Sequence, residues 1–105
     1  MYKHVRTKEN GDATANYDIV GEYPIKFIDF IRAISASDSN SFRIVFYDTD
    51  NWTTNKCEIA KRNGEWYITL QNSNFIDKYK NKNVIECRAN GGYGQMSYFC
   101  TFEEE

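Results

Sequence analysis

Apolar residues recur at helical spacing in one main stretch of this sequence, and from residue 42 onward they recur mostly at every second position. Ile25, Ile28, Ile31 and Ile34, with Phe27 and Phe30 beside them, form one stripe, while Lys26, Asp29 and Arg32 mark its wet side. Pro24 suits a first helical turn, where its missing N–H has no partner to lose. The polar run 35–41 ends the helix, because Ser, Asp and Asn side chains compete for its backbone hydrogen bonds. Then Phe42, Ile44 and Phe46 alternate with Arg43, Val45 and Tyr47, which predicts a strand with one face on a core. Two more alternating runs, Cys57 and Ile59, then Trp66, Ile68 and Leu70, flank Arg62-Asn63-Gly64-Glu65. Asn-Gly there is a strong hairpin signal, since both central residues need positive φ. Residues 72–80 predict a short second helix burying Phe75, Ile76 and Tyr79, and two last strands carry Ile85, Cys87 and Ala89, then Met96, Tyr98, Cys100 and Phe102. With a strand at 15–21 ahead of the helix, the order is β-α-β-β-β-(short α)-β-β. That is an α+β fold, a mostly antiparallel sheet of five or six strands with one main helix on one face.

A chain of 105 residues falls in the size range of one domain, so a single α+β domain is expected over 1–105. Its first dozen residues are polar and broken by Glu9-Asn10-Gly11-Asp12, which suggests a loose arm or a weakly held edge strand. Phe27, Phe30, Phe42, Phe46, Trp66, Phe75, Phe99 and Phe102 supply the large apolar area for a core. A formal charge of -2 with mixed signs argues against a general nucleic-acid coat, which must neutralise phosphates. No run approaches the roughly 18 apolar residues of a membrane span, and Met1-Tyr2-Lys3-His4-Val5-Arg6 lacks the apolar core of a signal peptide. A cytoplasmic protein is expected. Cys57, Cys87 and Cys100 are odd in number and widely spaced within alternating runs, so they read as reduced core thiols without disulfides.

Hydrolytic and acid/base constellations usually recruit histidine, and the single one, His4, lies in the polar arm. The cysteines lack the CxxC spacing that would place two ligands on one metal ion. Asp48-Thr49-Asp50-Asn51 resembles the start of a calcium loop. Thr53 stands where such a loop needs glycine and Ile59 where it needs glutamate, so a polar turn is the reading. No enzyme, no catalytic residue, no metal and no cofactor are therefore expected, although carboxylate pairs that meet only in the folded chain stay open.

Binding is the remaining class. Asn90-Gly91-Gly92-Tyr93-Gly94 is the most unusual local sequence; a Gly-rich turn can aim consecutive N–H groups at a phosphate, and it can equally be a hairpin turn or bulge. Three glycines within four residues are tolerated where positive φ or close approach demands them, and Gly92→Val is expected to strain the backbone. Tyr93 at the tip and Trp52 in the loop 48–55 are the candidate exposed aromatics, with large contact area and few rotors to freeze. If one sheet face is wet, Arg43, Tyr47, Tyr67 and Arg88 fall on it, a mixture suited to stacking a base and pairing a phosphate. The candidate binding residues are Trp52, Arg88, Asn90, Gly91, Gly92 and Tyr93.

The order of a strand, the helix Pro24-Ile25-Lys26-Phe27-Ile28-Asp29-Phe30-Ile31, an Asn-Gly hairpin and the ending Ala89-Asn90-Gly91-Gly92-Tyr93-Gly94-Gln95-Met96-Ser97-Tyr98 resembles a group of small uncharacterised proteins carried by phages and mobile elements of gut and low-GC bacteria. Enrichment in Asn, Ile, Lys and Tyr, residues of A/T-rich codons, suits such a source. The resemblance brings no catalytic residue with it. It implies a setting, in which the domain occupies a host protein or a small signal molecule, for example as an inhibitor of antiviral defence; the alternative, read from the Gly91-Gly92 turn and a stacking aromatic, is a sponge for a nucleotide signal or short nucleic acid. Free strand edges are apt to pair with another chain, which leaves a homodimer open.

Overall fold

The computed structural model describes residues 2–7, 15–92 and 94–104. Its strands are β1 (Lys3–Thr7), β2 (Ala15–Val20), β3 (Ile25–Lys26), β4 (Arg43–Asp48), β5 (Lys56–Arg62), β6 (Glu65–Gln71), β7 (Asn83–Gly92) and β8 (Gln95–Phe102), and its helices are α1 (Phe27–Ser37) and α2 (Phe75–Tyr79). A 3-10 turn occupies Thr49–Asn51. The fold is α+β. Seven strands make an open sheet in the order β1-β2-β7-β8-β4-β5-β6, and the two-residue β3 pairs with β7 beyond the stretch that β2 covers. The strands beyond the expected six are β1, within the expected loose arm, and β3. All neighbours are antiparallel except β4 and β8, which run parallel from Arg43↔Gln95 to Asp48↔Cys100. Since β3 and β4 point the same way, β3-α1-β4 is a crossover, and the β7–β8 hairpin fills the gap between its strands.

Helix α1 begins later than Pro24 suggests. Pro24 follows a cis peptide bond in a bend, and Ile25 and Lys26 then pair with Val84 and Asn83 along the free edge of β7. Lys26, at the helix N-cap, supplies no side-chain cap. The first-turn donors are satisfied from elsewhere in the chain, Phe27 N–H by the Lys82 carbonyl at 2.9 Å and Ile28 N–H by the Lys80 carbonyl at 3.1 Å. Phe27, Phe30 and Ile34 are the buried stripe of the helix. The rings of Phe27 and Phe30 meet Phe46 edge-on, and Phe27 meets Phe75 of α2 and Phe102 of β8 in the same way. Each such side chain contributes about 1.5–3 kcal/mol by leaving water. Both helices thus pack on one face of the sheet, over Ile44, Phe46, Cys57, Cys87, Tyr98 and Cys100.

Two buried aspartates fasten the ends of this layer. Asp38, at the C-cap of α1, accepts from Ser41 N–H at 3.1 Å and from the Tyr98 hydroxyl at 2.8 Å. Asp48, at the end of β4, accepts from Asp50 N–H and from the Tyr79 hydroxyl of α2. The three cysteines are buried free thiols, and burial pushes the Cys57 thiol up to about 12. Asn63 and Gly64 both have positive φ, as their dipeptide predicts.

Four apolar side chains lie outside the core that alternation assigns to them. Phe42 is 60% exposed, because pairing of β4 starts one residue later and Phe42 packs instead against Gly94. Ile85 sits in a bulge between the pairs Val84↔Phe102 and Glu86↔Thr101, so Val84 takes the inward place. Ile68 and Leu70 are exposed because β6 is the sheet edge and a bulge at Thr69 breaks its period.

Candidate functional site

No helix of the described residues packs on the other face of the sheet, which β4, β7 and β8 present at its centre. Register fixes the residues that share it. Arg88 pairs with Phe99, Phe99 with Tyr47, Arg88 with Asp18, Glu86 with Thr101 and Asn90 with Asn16. The rings of Tyr47 and Phe99 are stacked, with centroids 4.7 Å apart and planes 10° from parallel. Val45, one step along β4 on the same face, is buried beneath this layer.

Two concavities open on either side of the Arg88–Phe99 pair. One, of about 420 Å³, is lined by Asn16, Asp18, Arg88, Asn90 and Phe99 together with Tyr17 and Ala89; the other, of about 260 Å³, is lined by Thr49, Glu86, Arg88, Phe99 and Thr101. Arg88 and Phe99 belong to both. The Arg88 guanidinium lies 3.4 Å from Glu86 and 3.9 Å from Asp18, in exposed ion pairs whose worth is small and screened by salt. Towards the β6 side, Arg43 grips Glu58 with Nε–Oε1 at 2.6 Å and Nη2–Oε2 at 2.9 Å. That hydrogen-bonded guanidinium holds the Glu58 carboxyl below the usual carboxylate range. Arg43, Lys56, Arg62 and Arg88 share the face with Asp18, Glu58, Glu65 and Glu86, and Lys3 of β1 lies in the same phase, so the face carries both signs of charge.

The residues expected to bind do not converge on one place. Arg88 and Asn90 line the larger concavity together, with Arg43, Tyr47 and Tyr67 on the same face by register. Trp52 is 55% exposed just after the 3-10 turn, at the Asp48 end of β4, whereas Gly91 and Gly92 lie at the Arg43 end, about 17 Å away along the strand. Tyr93 lies outside the described residues. Asn90 and Gly91 are paired on both sides, with Asn16 and Ala15 of β2 and with Ser97 and Met96 of β8, although Gly91 has φ +151°. Ladder pairing on both sides engages the backbone of Asn90 and Gly91, so these two residues supply no anion nest. The Gly94 carbonyl accepts from Phe42 and Arg43 N–H, which anchors the hairpin to the start of β4.

Phe99 is the central residue that the sequence reading left out of the site. Its signal was present, since it shares the phase of Ser97 and Thr101, opposite to Tyr98 and Cys100, and a large ring on the polar phase of a strand marks a second, partly apolar face. Asn16 and Asp18 could not be found so, because only strand order brings β2 beside β7.

Among the described residues no group of three or more His, Cys, Asp or Glu side chains is placed to hold a metal ion, and every buried side-chain N or O has a hydrogen-bond partner. Comparison with protein families, with curated proteins and with solved structures finds no match to this chain. The site is therefore read from its own residues.

Proposed function

We propose that this protein is a non-enzymatic binding module that works by occupying another protein through the open face of its sheet. The observation that carries the reading is the stacked Tyr47–Phe99 pair at the centre of that face, walled by Arg88 and charges of both signs. An aromatic anchor with arginine beside it and a polar rim is the composition of a protein interface, and a surface that mixes both signs of charge lacks the strong basic excess that a phosphate backbone calls for. The resemblance to phage and mobile-element proteins supports a setting in the bacterial cytoplasm, with a host protein, such as a component of antiviral defence, as partner. Capture from lysate of a low-GC host with tagged protein tests this. A stoichiometric partner retained in 0.3 M salt is expected, and clean recovery of nothing overturns the reading.

The larger concavity favours a second reading. Phe99 offers a ring to stack a base, Asn16 and Asn90 offer amides, and Arg88 a phosphate partner, within a volume that admits a nucleotide. A ligand that binds only the folded state raises its stability by RT ln(1 + [L]/Kd). Cyclic di- and trinucleotides and ADP-ribose derivatives at millimolar concentration should then raise the melting temperature by several degrees, and a panel that shifts nothing removes this reading.

A further inference from the structure

Strand β6 ends the sheet and pairs, among the described residues, with β5 alone. Its sequence, Glu-Trp-Tyr-Ile-Thr-Leu-Gln, contains no Lys, Arg or Pro, the residues that usually blunt an edge. The opposite edge, β1, reads Lys-His-Val-Arg-Thr. Within four positions of β6, Tyr67, Ile68 and Leu70 are 49%, 55% and 42% exposed. Backbone pairing capacity and apolar side chains thus coincide on one edge.

We infer that this edge takes a second copy of the same chain, β6 against β6, antiparallel about a two-fold axis through Tyr67. The axis stands perpendicular to the sheet, because only then do the two chains add edge to edge with each face continuing into the same face of its partner. That symmetry admits only registers centred on a residue, in which paired side chains share a face, and the register centred on Tyr67 pairs the strand's aromatic and β-branched residues. Centred on Tyr67, the pairing sets Tyr67 against Tyr67 and, on either side of the axis, Trp66 against Ile68, all before the Thr69 bulge. These are an aromatic pair and two aromatic–β-branched pairs, the combinations that stabilise neighbouring strands. The strand's one charge, Glu65, does not meet its own copy in this register, so no like charges oppose one another across the edge. The regular stretch 65–68 lies before the Thr69 bulge and is straight enough to pair. The dimer carries its two open faces on the same side of one continuous sheet, which presents the proposed binding surface twice.

Sedimentation velocity on the full chain tests it. The wild type is expected to be dimeric at 100 µM. Tyr67→Lys and Tyr67→Glu each place like charges opposite one another at the axis, and each alone is expected to raise the dimer dissociation constant by more than about tenfold. An equimolar mixture of the two is expected to recover the dimer, a rescue that misfolding would not give. A wild type that stays monomeric at that concentration, variants that dimerise as well as the wild type, or a mixture that fails to recover the dimer overturns the inference. Partner capture in lysate is read separately, through residues of β7 and β8, so either proposal can fail alone.

Discussion

Gly91 and Gly94, and not Gly92, are the residues on which the closing hairpin depends. Gly91 has φ +151° and its missing Cβ would stand 2.2 Å from the Gln95 carbonyl oxygen, while Gly94 has φ +84° and would press on the Phe42 ring. Gly92 has open space around it and no positive φ, so the expected strain of Gly92→Val is corrected here. Gly91→Ala and Gly94→Ala should each cost more than about 1 kcal/mol in denaturant melts, whereas Gly92→Ala should stay within about 0.5 kcal/mol. The glycine cluster announced a constrained turn; which glycine bears the constraint depends on neighbours that only the fold supplies. The buried phenols offer a second residue-level test. Burial first, and then Asp38 and Asp48, push the Tyr98 and Tyr79 hydroxyls well above the ordinary 10.0, and burial pushes Cys57 from 9.0 up to about 12. The unfolded chain therefore releases these protons first, so stability is intact below about pH 9 and declines as pH rises beyond it. Tyr98→Phe should lower stability at pH 7 by about 1–3 kcal/mol, because the buried Asp38 keeps the Ser41 N–H but loses its hydroxyl donor. It should also flatten the alkaline decline of melting temperature; an unchanged slope would show that Tyr98 does not hold its proton in the fold.

Elements were readable in the sequence wherever a period stayed whole. The stripe of α1, the Asn63-Gly64 hairpin and the buried Phe75 and Tyr79 of α2 follow from spacing alone. Element ends and partners did not follow, because they depend on distant chain. The start of α1 is set by β3 pairing with β7 and by carbonyls of Lys80 and Lys82, more than fifty residues away in sequence. The parallel contact of β4 with β8 leaves no local trace, since the alternation of a strand is the same whichever way its neighbour runs. The account of α1 gives a contrast that calorimetry can read. Phe30→Ala should cost about 3–5 kcal/mol by opening a cavity against Phe46, while Lys80→Ala and Lys82→Ala should change stability by less than about 0.5 kcal/mol, because it is their backbone that caps the helix.

At the scale of the whole molecule, one face of the sheet is spent on stability and the other is left to make contacts. The helices, the buried thiols and the Asp38 and Asp48 anchors all lie on the covered side, whereas the open side carries the Tyr47–Phe99 stack and the exposed charges around it. Of that open side, Arg43, Tyr47, Tyr67 and Arg88 were recognisable from strand phase, whereas the concavities beside Phe99 required the order of strands. The most direct test of the binding role is the affinity of a partner captured from lysate, measured by titration calorimetry for wild type, Arg88→Ala, Phe99→Ala and, on the exposed side of α1, Arg32→Ala. Arg88→Ala and Phe99→Ala should each weaken binding by about tenfold or more, the loss of roughly 1.4 kcal/mol or more, with Arg32→Ala unchanged. Full affinity in both open-face variants, or loss confined to Arg32→Ala, would contradict the assignment of binding to the open face of the sheet.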